Sequence, residues 1–355
     1  MKPDAGAGRI PTLDGWRAVA ILWVMVHHTQ DSLFGPAGLL PNQALFAIGT
    51  AGPCGVDIFF GLSGFLICSR LLDERRKTGR ISLWKFYVRR TFRVLPPLYV
   101  YIGVVAALAA KGWLDVGWRP ILSALSFWRN YLPQWMAANE HPVAHTWSLS
   151  LEEHFYIFWP VTLILLATRR RAVWSALGLG LAIVVWRLAI LKANPMASIW
   201  RTDLRLDGLL FGAWIALVVD DPGWRVRLTR WISPVVWFGL AAALAAVVFT
   251  LVPVPMPQFW IPLLIPFLLI GTAFRPESIA GRVLEWGPLT WIGQLSYSIY
   301  IWQQLFLIRP EDRRTFGVIQ TFPFNWLAAF GCALASYYLI ERPAIAWGRR
   351  VSARR

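Results

Sequence analysis

Ten apolar segments, each close to 20 residues long, divide this chain into hydrophobic runs joined by short polar turns. They begin near Trp16, Gly52, Val94, Trp147, Ala172, Arg205, Trp231, Gln258, Trp291 and Phe322. About 20 helical residues cross a hydrocarbon core roughly 30 Å thick, and inside lipid a backbone segment must satisfy its own hydrogen bonds. The predicted fold class is therefore all-α, a polytopic transmembrane bundle of about ten helices. It forms a single domain over residues 1–355, with short tails at about 1–12 and 344–355 and no extramembrane domain. Composition agrees, since only 15% of residues are charged where soluble domains carry about 25%. The amphipathic stretch Ile121–Leu132 is too short to span and is expected to be re-entrant or interfacial.

Basic residues orient the bundle. The loop from Arg70 to Arg93 holds nine Lys and Arg, whereas the loops Asp31–Thr50 and Val252–Gln258 hold none. Both termini are thus expected in the cytoplasm. The net charge of +16 fits this topology and attraction to anionic lipid headgroups. Nucleic-acid binding would need a soluble basic domain, which this chain lacks. Cys54, Cys68 and Cys332 fall in or beside apolar segments without CxxC spacing, which argues against a disulfide framework or a thiolate metal site. The first apolar segment contains Arg17 and ends in His27-His28 without a small-residue cleavage site, so it is not a cleavable leader.

Ionisable groups within apolar segments are costly and point to function. Arg17 and His28 are eleven residues apart, close to three helical turns, so they share one face separated by about 16 Å. Three further clusters interrupt the apolar background. Asp57 and the small-residue run Gly61-Leu62-Ser63-Gly64 lie in the second segment, Arg90 and Arg93 at the start of the third, and Ser148 and Glu152 in the fourth. Counting helical rise from each surface puts His28 and Glu152 at one level, in the outer half of the bilayer, with Asp57 slightly higher. Arg17, Arg90 and Arg93 gather near the inner surface. The sequence thus predicts basic groups inside and a histidine–carboxylate pair further out. Ser63 between Gly61 and Gly64 fits a close helix-packing seam better than a nucleophile, because GxSxG there lacks its strand–turn–helix setting. Asp57 is open to either an ion-pair or a catalytic role, and His27, about 100° around the helix from His28, is assigned to packing.

Together these segments closely resemble the integral-membrane acyltransferase family 3, bacterial membrane O-acyltransferases that act on surface glycans and related acceptors. The family's arginine-then-histidine pattern falls on Arg17 and His28, its Arg-x-x-Arg motif on Arg90 and Arg93, and its Ser-x-x-x-Glu motif on Ser148 and Glu152. Gly55–Ile67 matches a further family stretch, with later echoes at Arg205-Leu206-Asp207-Gly208, Ser296-Tyr297-Ser298-Ile299-Tyr300 and Ile340-Glu341-Arg342-Pro343. Where many members carry a late histidine after Tyr-Leu-Trp, this chain has Gln303. The extracytoplasmic esterase-like domain of some members is not expected here.

The resemblance implies a multi-pass protein of the bacterial inner membrane that moves an acyl group, usually acetyl, from cytoplasmic acyl-CoA to a hydroxyl of a glycan or glycolipid. The residue chemistry points the same way. Arginine forks suit the phosphates of an acyl-CoA donor, which places Arg17, Arg90 and Arg93 in donor binding. Alcohol acylation needs a base for the hydroxyl proton, a role that suits His28; a covalent acyl-histidine is the other use of the same residue. Glu152, with Ser148, is expected to orient His28, and no metal is required. Two other classes compete: a proton-coupled secondary transporter using Arg, His and Glu as a relay, and a non-catalytic partner in glycan export.

Overall fold

A computed structural model describes residues 10–36, 38–132, 141–194, 200–249, 257–308 and 315–354. Among them the chain is all-helical, without strands. The first half comprises α1 (Pro11–Phe34), α2 (Gln43–Thr50), α3 (Pro53–Thr78), α4 (Leu83–Ala110), α5 (Trp118–Leu125), α6 (His141–Ala144), α7 (Thr146–Leu165) and α8 (Arg169–Ala193). The second half comprises α9 (Thr202–Arg205), α10 (Asp207–Val219), α11 (Pro222–Trp231), α12 (Pro234–Val248) and α13 (Pro257–Ala273). It closes with α14 (Ile279–Leu284), α15 (Gly287–Gln303), α16 (Phe324–Ser336) and α17 (Arg342–Ala353), the last two joined by a π-helical turn at Tyr337–Glu341.

Each of the ten apolar segments maps onto a helix, but their lengths differ. Gln43–Thr78, Leu83–Ala110 and Arg169–Ala193 are long and apolar enough to cross a membrane, and the bent pair α11–α12 would make a fourth span. The 13 residues of α10 rise only about 20 Å, short of a 30 Å core. α1 is 24 residues long and carries Asp14, Arg17, His27 and His28, which dilute its hydropathy. Ile121–Leu132 straddles the end of α5 and a short 3-10 turn, Arg129–Tyr131, packed against α7.

Local signals set the helix ends. Ser82, Thr168, Ser233 and Ser278 each cap a helix by accepting a hydrogen bond from a backbone N–H in its first turn. α3 stops at Gly79, whose φ of 75° is the left-handed conformation that favours glycine.

Packing centres on two helix pairs, α3 with α10 and α1 with α15. Lipid gives helices no hydrophobic reason to associate, so close backbone approach between small residues does this work. A Cβ on Gly64 would stand 2.0 Å from the Leu209 carbonyl oxygen, and one on Gly212 2.4 Å from that of Gly61. On the other pair, a Cβ on Gly293 would meet the Asp14 carbonyl at 1.8 Å. The Gly61–Gly64 run is thus a packing seam. It also seats two buried ion pairs. Arg187 forks onto Asp207 at 3.1 and 3.0 Å, both side chains 1% exposed, and Arg205 reaches Asp57 at 2.7 Å.

Gly64→Ala should therefore force α3 from α10, a kind of overpacking that costs about 1–3 kcal/mol. Gly103, with open space where its Cβ would go, should gain about 0.5–1 kcal/mol as alanine. Thermal unfolding in detergent checks this pair: Gly64→Ala should melt earlier and Gly103→Ala at or above the wild-type temperature. Equal melting of the two would contradict the seam.

Candidate active site

A cavity of about 660 Å³, its opening included, runs between α1, α3, α4, α7 and α15. Its polar walls draw on all four of the sequence clusters, with Ser63 the one polar residue from the second. Arg17 comes from α1, Arg90 and Arg93 from α4, and Ser148 and Glu152 from α7. Ser63, Glu153, Ser296, Tyr297 and Tyr300 complete the polar lining. The periodicity explains the convergence: Arg90 and Arg93 are three residues apart and Ser148 and Glu152 four, so each pair shares one helix face.

The arginines are not equivalent. Arg90 is committed to the protein, with Nη2 3.5 Å from Glu152, Nε 3.5 Å from Glu153, and its guanidinium 3.6 Å from the centroid of the Tyr156 ring. Arg17 pairs at 3.4 Å with Asp14 on its own helix. Arg93 makes no ion pair among the described residues; the opposing charge that acts on it is that of Glu341 of the π-helical turn, whose carboxylate accepts from Ser298 at 2.7 Å. Three donors converge on Oε2 of Glu152: the hydroxyl of Tyr156, the hydroxyl of Ser63 at 3.1 Å, and Arg90. Its other oxygen takes no bond from a described residue.

Tyr300 marks the end of the cavity away from the arginines. Its hydroxyl lies 2.6 Å from Ser148 Oγ and donates to the His145 carbonyl at 2.8 Å. Beyond it is a histidine cluster. The His145 ring lies 5.3 Å from Tyr300, and the His28 ring lies 5.3 Å from His27 and 6.4 Å from His141. His28 Nδ1 donates to the Val24 carbonyl at 2.9 Å, because a carbonyl can only accept. In the neutral ring that leaves the Nε2 lone pair free to take a proton. His27 turns the other way and donates to the Gly49 carbonyl at 2.9 Å.

Two expectations change here. The direct His28–Glu152 pair does not form: Glu152 bonds Tyr156, Ser63 and Arg90, His28 bonds the Val24 carbonyl, and Tyr300 and Ser148 stand between the carboxylate's cavity and the histidines. Helical rise fixes level and says nothing about lateral position. Asp57, the second case, does not line the cavity and is held by Arg205. The sequence also left Tyr156, Tyr300, His141 and His145 without a role; Tyr300 ended a recognised echo, and His145 precedes Ser148 by less than one turn. Gln303, which stands where family members often have histidine, is fully buried one turn past Tyr300, and its amide finds no partner among the described residues. No group of three or more His, Cys, Asp or Glu among the described residues is placed to hold a metal ion.

A family model described as an acyltransferase domain, Acyl_transf_3, matches residues 10–342. The chain belongs to this acyltransferase family. Among curated relatives, the peptidoglycan O-acetyltransferase OatA of Listeria monocytogenes is 28% identical over 94% of this chain and 55% of its own length. YrhL of Bacillus subtilis, named as a candidate for the same activity, is 30% identical over 98% of this chain and 56% of its own length. The chain spans about half the length of these relatives. No solved structure matches it. Within the acyltransferase match fall every charged residue of the cavity and all four clustered histidines.

Breaking one half of a buried ion pair costs about 3–5 kcal/mol, whereas replacing both halves with apolar groups is often neutral. Asp57→Leu should therefore lower the melting temperature in detergent sharply, and Asp57→Leu with Arg205→Leu should recover much of the loss. No recovery in the double variant would return Asp57 to the candidates for chemistry.

Proposed function

We propose that this acyltransferase-family protein is a multi-pass O-acyltransferase of the bacterial inner membrane. It moves an acyl group, most simply acetyl, from acyl-CoA on the cytoplasmic side to a hydroxyl of a glycan or glycolipid. One observation carries the reading: a single cavity has arginines at one end and, at the other, a tyrosine–serine pair backed by histidines. That polarity suits a donor with phosphates at one end and a thioester at the other. The relatives named for O-acetylation of peptidoglycan supply the acceptor class.

In this reading Arg17 and Arg93 bind donor phosphates directly, and Arg90 frames the site through its grip on Glu152 and Glu153. Glu152 therefore acts by fixing Arg90, Ser63 and Tyr156, and its expected task of orienting His28 is dropped. The Val24 carbonyl orients His28 instead, leaving Nε2 as the base. As the acceptor oxygen attacks the thioester carbonyl, its proton moves to Nε2. The C–S bond then breaks, and the departing thiolate recovers that proton from the imidazolium, which restores neutral His28. The same Nε2 can instead attack the thioester first: the C–S bond breaks, the CoA thiolate leaves, and an Nε2-acyl-imidazolium forms with Nδ1–H still on the Val24 carbonyl. Attack by the acceptor hydroxyl then breaks the N–acyl bond, frees neutral His28 and gives the hydroxyl proton to the thiolate. Ser148, whose hydroxyl can turn from Tyr300 towards the passage between cavity and histidines, would donate to the oxyanion that forms there, while Tyr300 stays bonded to the His145 carbonyl. Asp57 holds α3 to Arg205 and takes no part.

Purified protein in detergent, given acetyl-labelled acetyl-CoA and a glycan acceptor, tests the proposal. Wild-type protein should transfer the label or release it as acetate. His28→Ala should lose this activity and His27→Ala should keep most of it. Arg93→Ala should raise the KM for acetyl-CoA about tenfold or more, the scale of one charge-assisted hydrogen bond. Absence of any acetyl-CoA turnover by well-folded wild-type protein would contradict the assignment, and equal loss in both histidine variants would remove His28 from its central role.

A further inference from the structure

The cavity does not end at the residues that line it. Along α3, Val56, Phe59 and Ser63 face the cavity, and the same helical stripe continues through Leu66 to Arg70 at spacings of three and four residues. Exposure follows this stripe. Phe59, Ser63 and Leu66 are partly exposed and Arg70 is exposed, while the intervening Ile58, Phe60, Leu62, Phe65, Ile67 and Cys68 are buried. An accessible track thus leaves the cavity and runs about 10 Å, seven helical residues beyond Ser63, to a guanidinium at its mouth.

The electrostatics of that guanidinium are one-sided. The strongest charge effects on Arg70 come from Arg93, Arg17, Arg90 and Arg89, all of its own sign. Arg89 is paired with Glu74, Arg17 with Asp14 and Arg90 with Glu152 and Glu153. Neither Arg70 nor Arg93 has an ion-pair partner among the described residues. Two cations that act on each other without an ion-pair partner of their own repel, and their natural complement is an anion carrying more than one charge.

We propose that Arg70 completes a phosphate site at the cavity mouth, together with Arg17 and Arg93, and reads the clustered phosphates of a nucleotide-bearing donor. Arg70 is a specificity residue in this account: it distinguishes a donor with a phosphorylated nucleotide end from one that offers only the pantetheine arm and thioester. The proposal rests on the acyl-CoA reading above, but its ligand chemistry, a polyphosphate anion, can be tested without turnover. Anionic lipid headgroups share that chemistry, so the test separates the two sources.

Binding of adenosine 3′,5′-bisphosphate to the full chain in uncharged detergent is measured for wild-type protein, Arg70→Ala, Arg70→Lys and the exposed control Lys77→Ala. Arg70→Ala should weaken binding about tenfold or more, Arg70→Lys should restore part of the loss, and Lys77→Ala should bind as wild type. In turnover, Arg70→Ala should raise the KM for acetyl-CoA by a similar factor at nearly unchanged kcat, and should leave the use of S-acetylpantetheine, which has no phosphate, unaltered. Equal loss with both donors would show that Arg70 acts through packing and would overturn the proposal. Bisphosphate binding that is absent in wild type or unaffected by Arg70→Ala would overturn it as well. So would a variant that loses affinity for phosphatidylglycerol vesicles while keeping its acetyl-CoA KM, since the site would then serve headgroups. If wild-type protein binds the bisphosphate through Arg70 but turns over no acetyl-CoA, the phosphate site stands and the acyltransferase mechanism fails.

Discussion

A charge inside an apolar bundle must be neutralised where it stands, and the interior of this protein is organised by how each of its charges meets that demand. Asp57, Asp207, Arg187 and Arg205 meet it by pairing: two buried ion pairs tie α3 to α9 and α8 to α10 beside a seam of glycines. Glu152 meets it with three donors drawn from three helices, so that α3, α4 and α7 are registered by one carboxylate oxygen. Arg93 has no ion-pair partner among the described residues, and neither has the exposed Arg70. The contrast separates two groups: paired charges hold helices, and under the proposal above the unpaired ones bind the donor.

The same logic polarises the cavity. At the arginine end the protein supplies an excess of positive charge, moderated by Glu341. At the far end it supplies hydroxyls and imidazoles: those of Tyr300 and Ser148, then the rings of His145, His141 and His28. A molecule that is highly anionic at one end and uncharged at the other has a single favourable orientation here. The π-helical turn at Tyr337–Glu341 contributes by presenting Glu341 to Ser298 on α15, an irregularity of the sort often found near functional sites.

Much of this was legible in the sequence. Apolar runs of about 20 residues gave the helices, because lipid leaves the backbone few choices. The i, i+3 and i, i+4 spacings at Arg90–Arg93 and Ser148–Glu152 gave shared faces. Gly61 and Gly64 gave the seam, because small residues in an apolar run have few other uses. What was not legible depends on which helices become neighbours. Helical rise put His28 and Glu152 at one depth, yet no local pattern shows that Tyr300, nearly 150 residues after Glu152, stands between them. Nor does it show that Asp57 faces Arg205 rather than the cavity. Arg70 escaped notice because it sits among the basic residues of a topology-determining loop, and only its place on the α3 stripe sets it apart from Arg75 and Arg76. Those two bond to the Ala167 carbonyl and to Asp73 and Asp220.

The central claim is that one donor molecule lies along the cavity, phosphates among the arginines and acyl group directed past Tyr300 toward His28. A cryo-EM structure with a non-hydrolysable thioether analogue of acetyl-CoA tests it most directly. The account predicts phosphate density within hydrogen-bonding distance of Arg17 and Arg93, and the acyl-mimicking carbon next to His28 Nε2, with Tyr300 displaced or forming one wall of the passage. The analogue bound outside this cavity, or bound with its acyl end on the arginine side of an unmoved Tyr300–Ser148 pair, would contradict it.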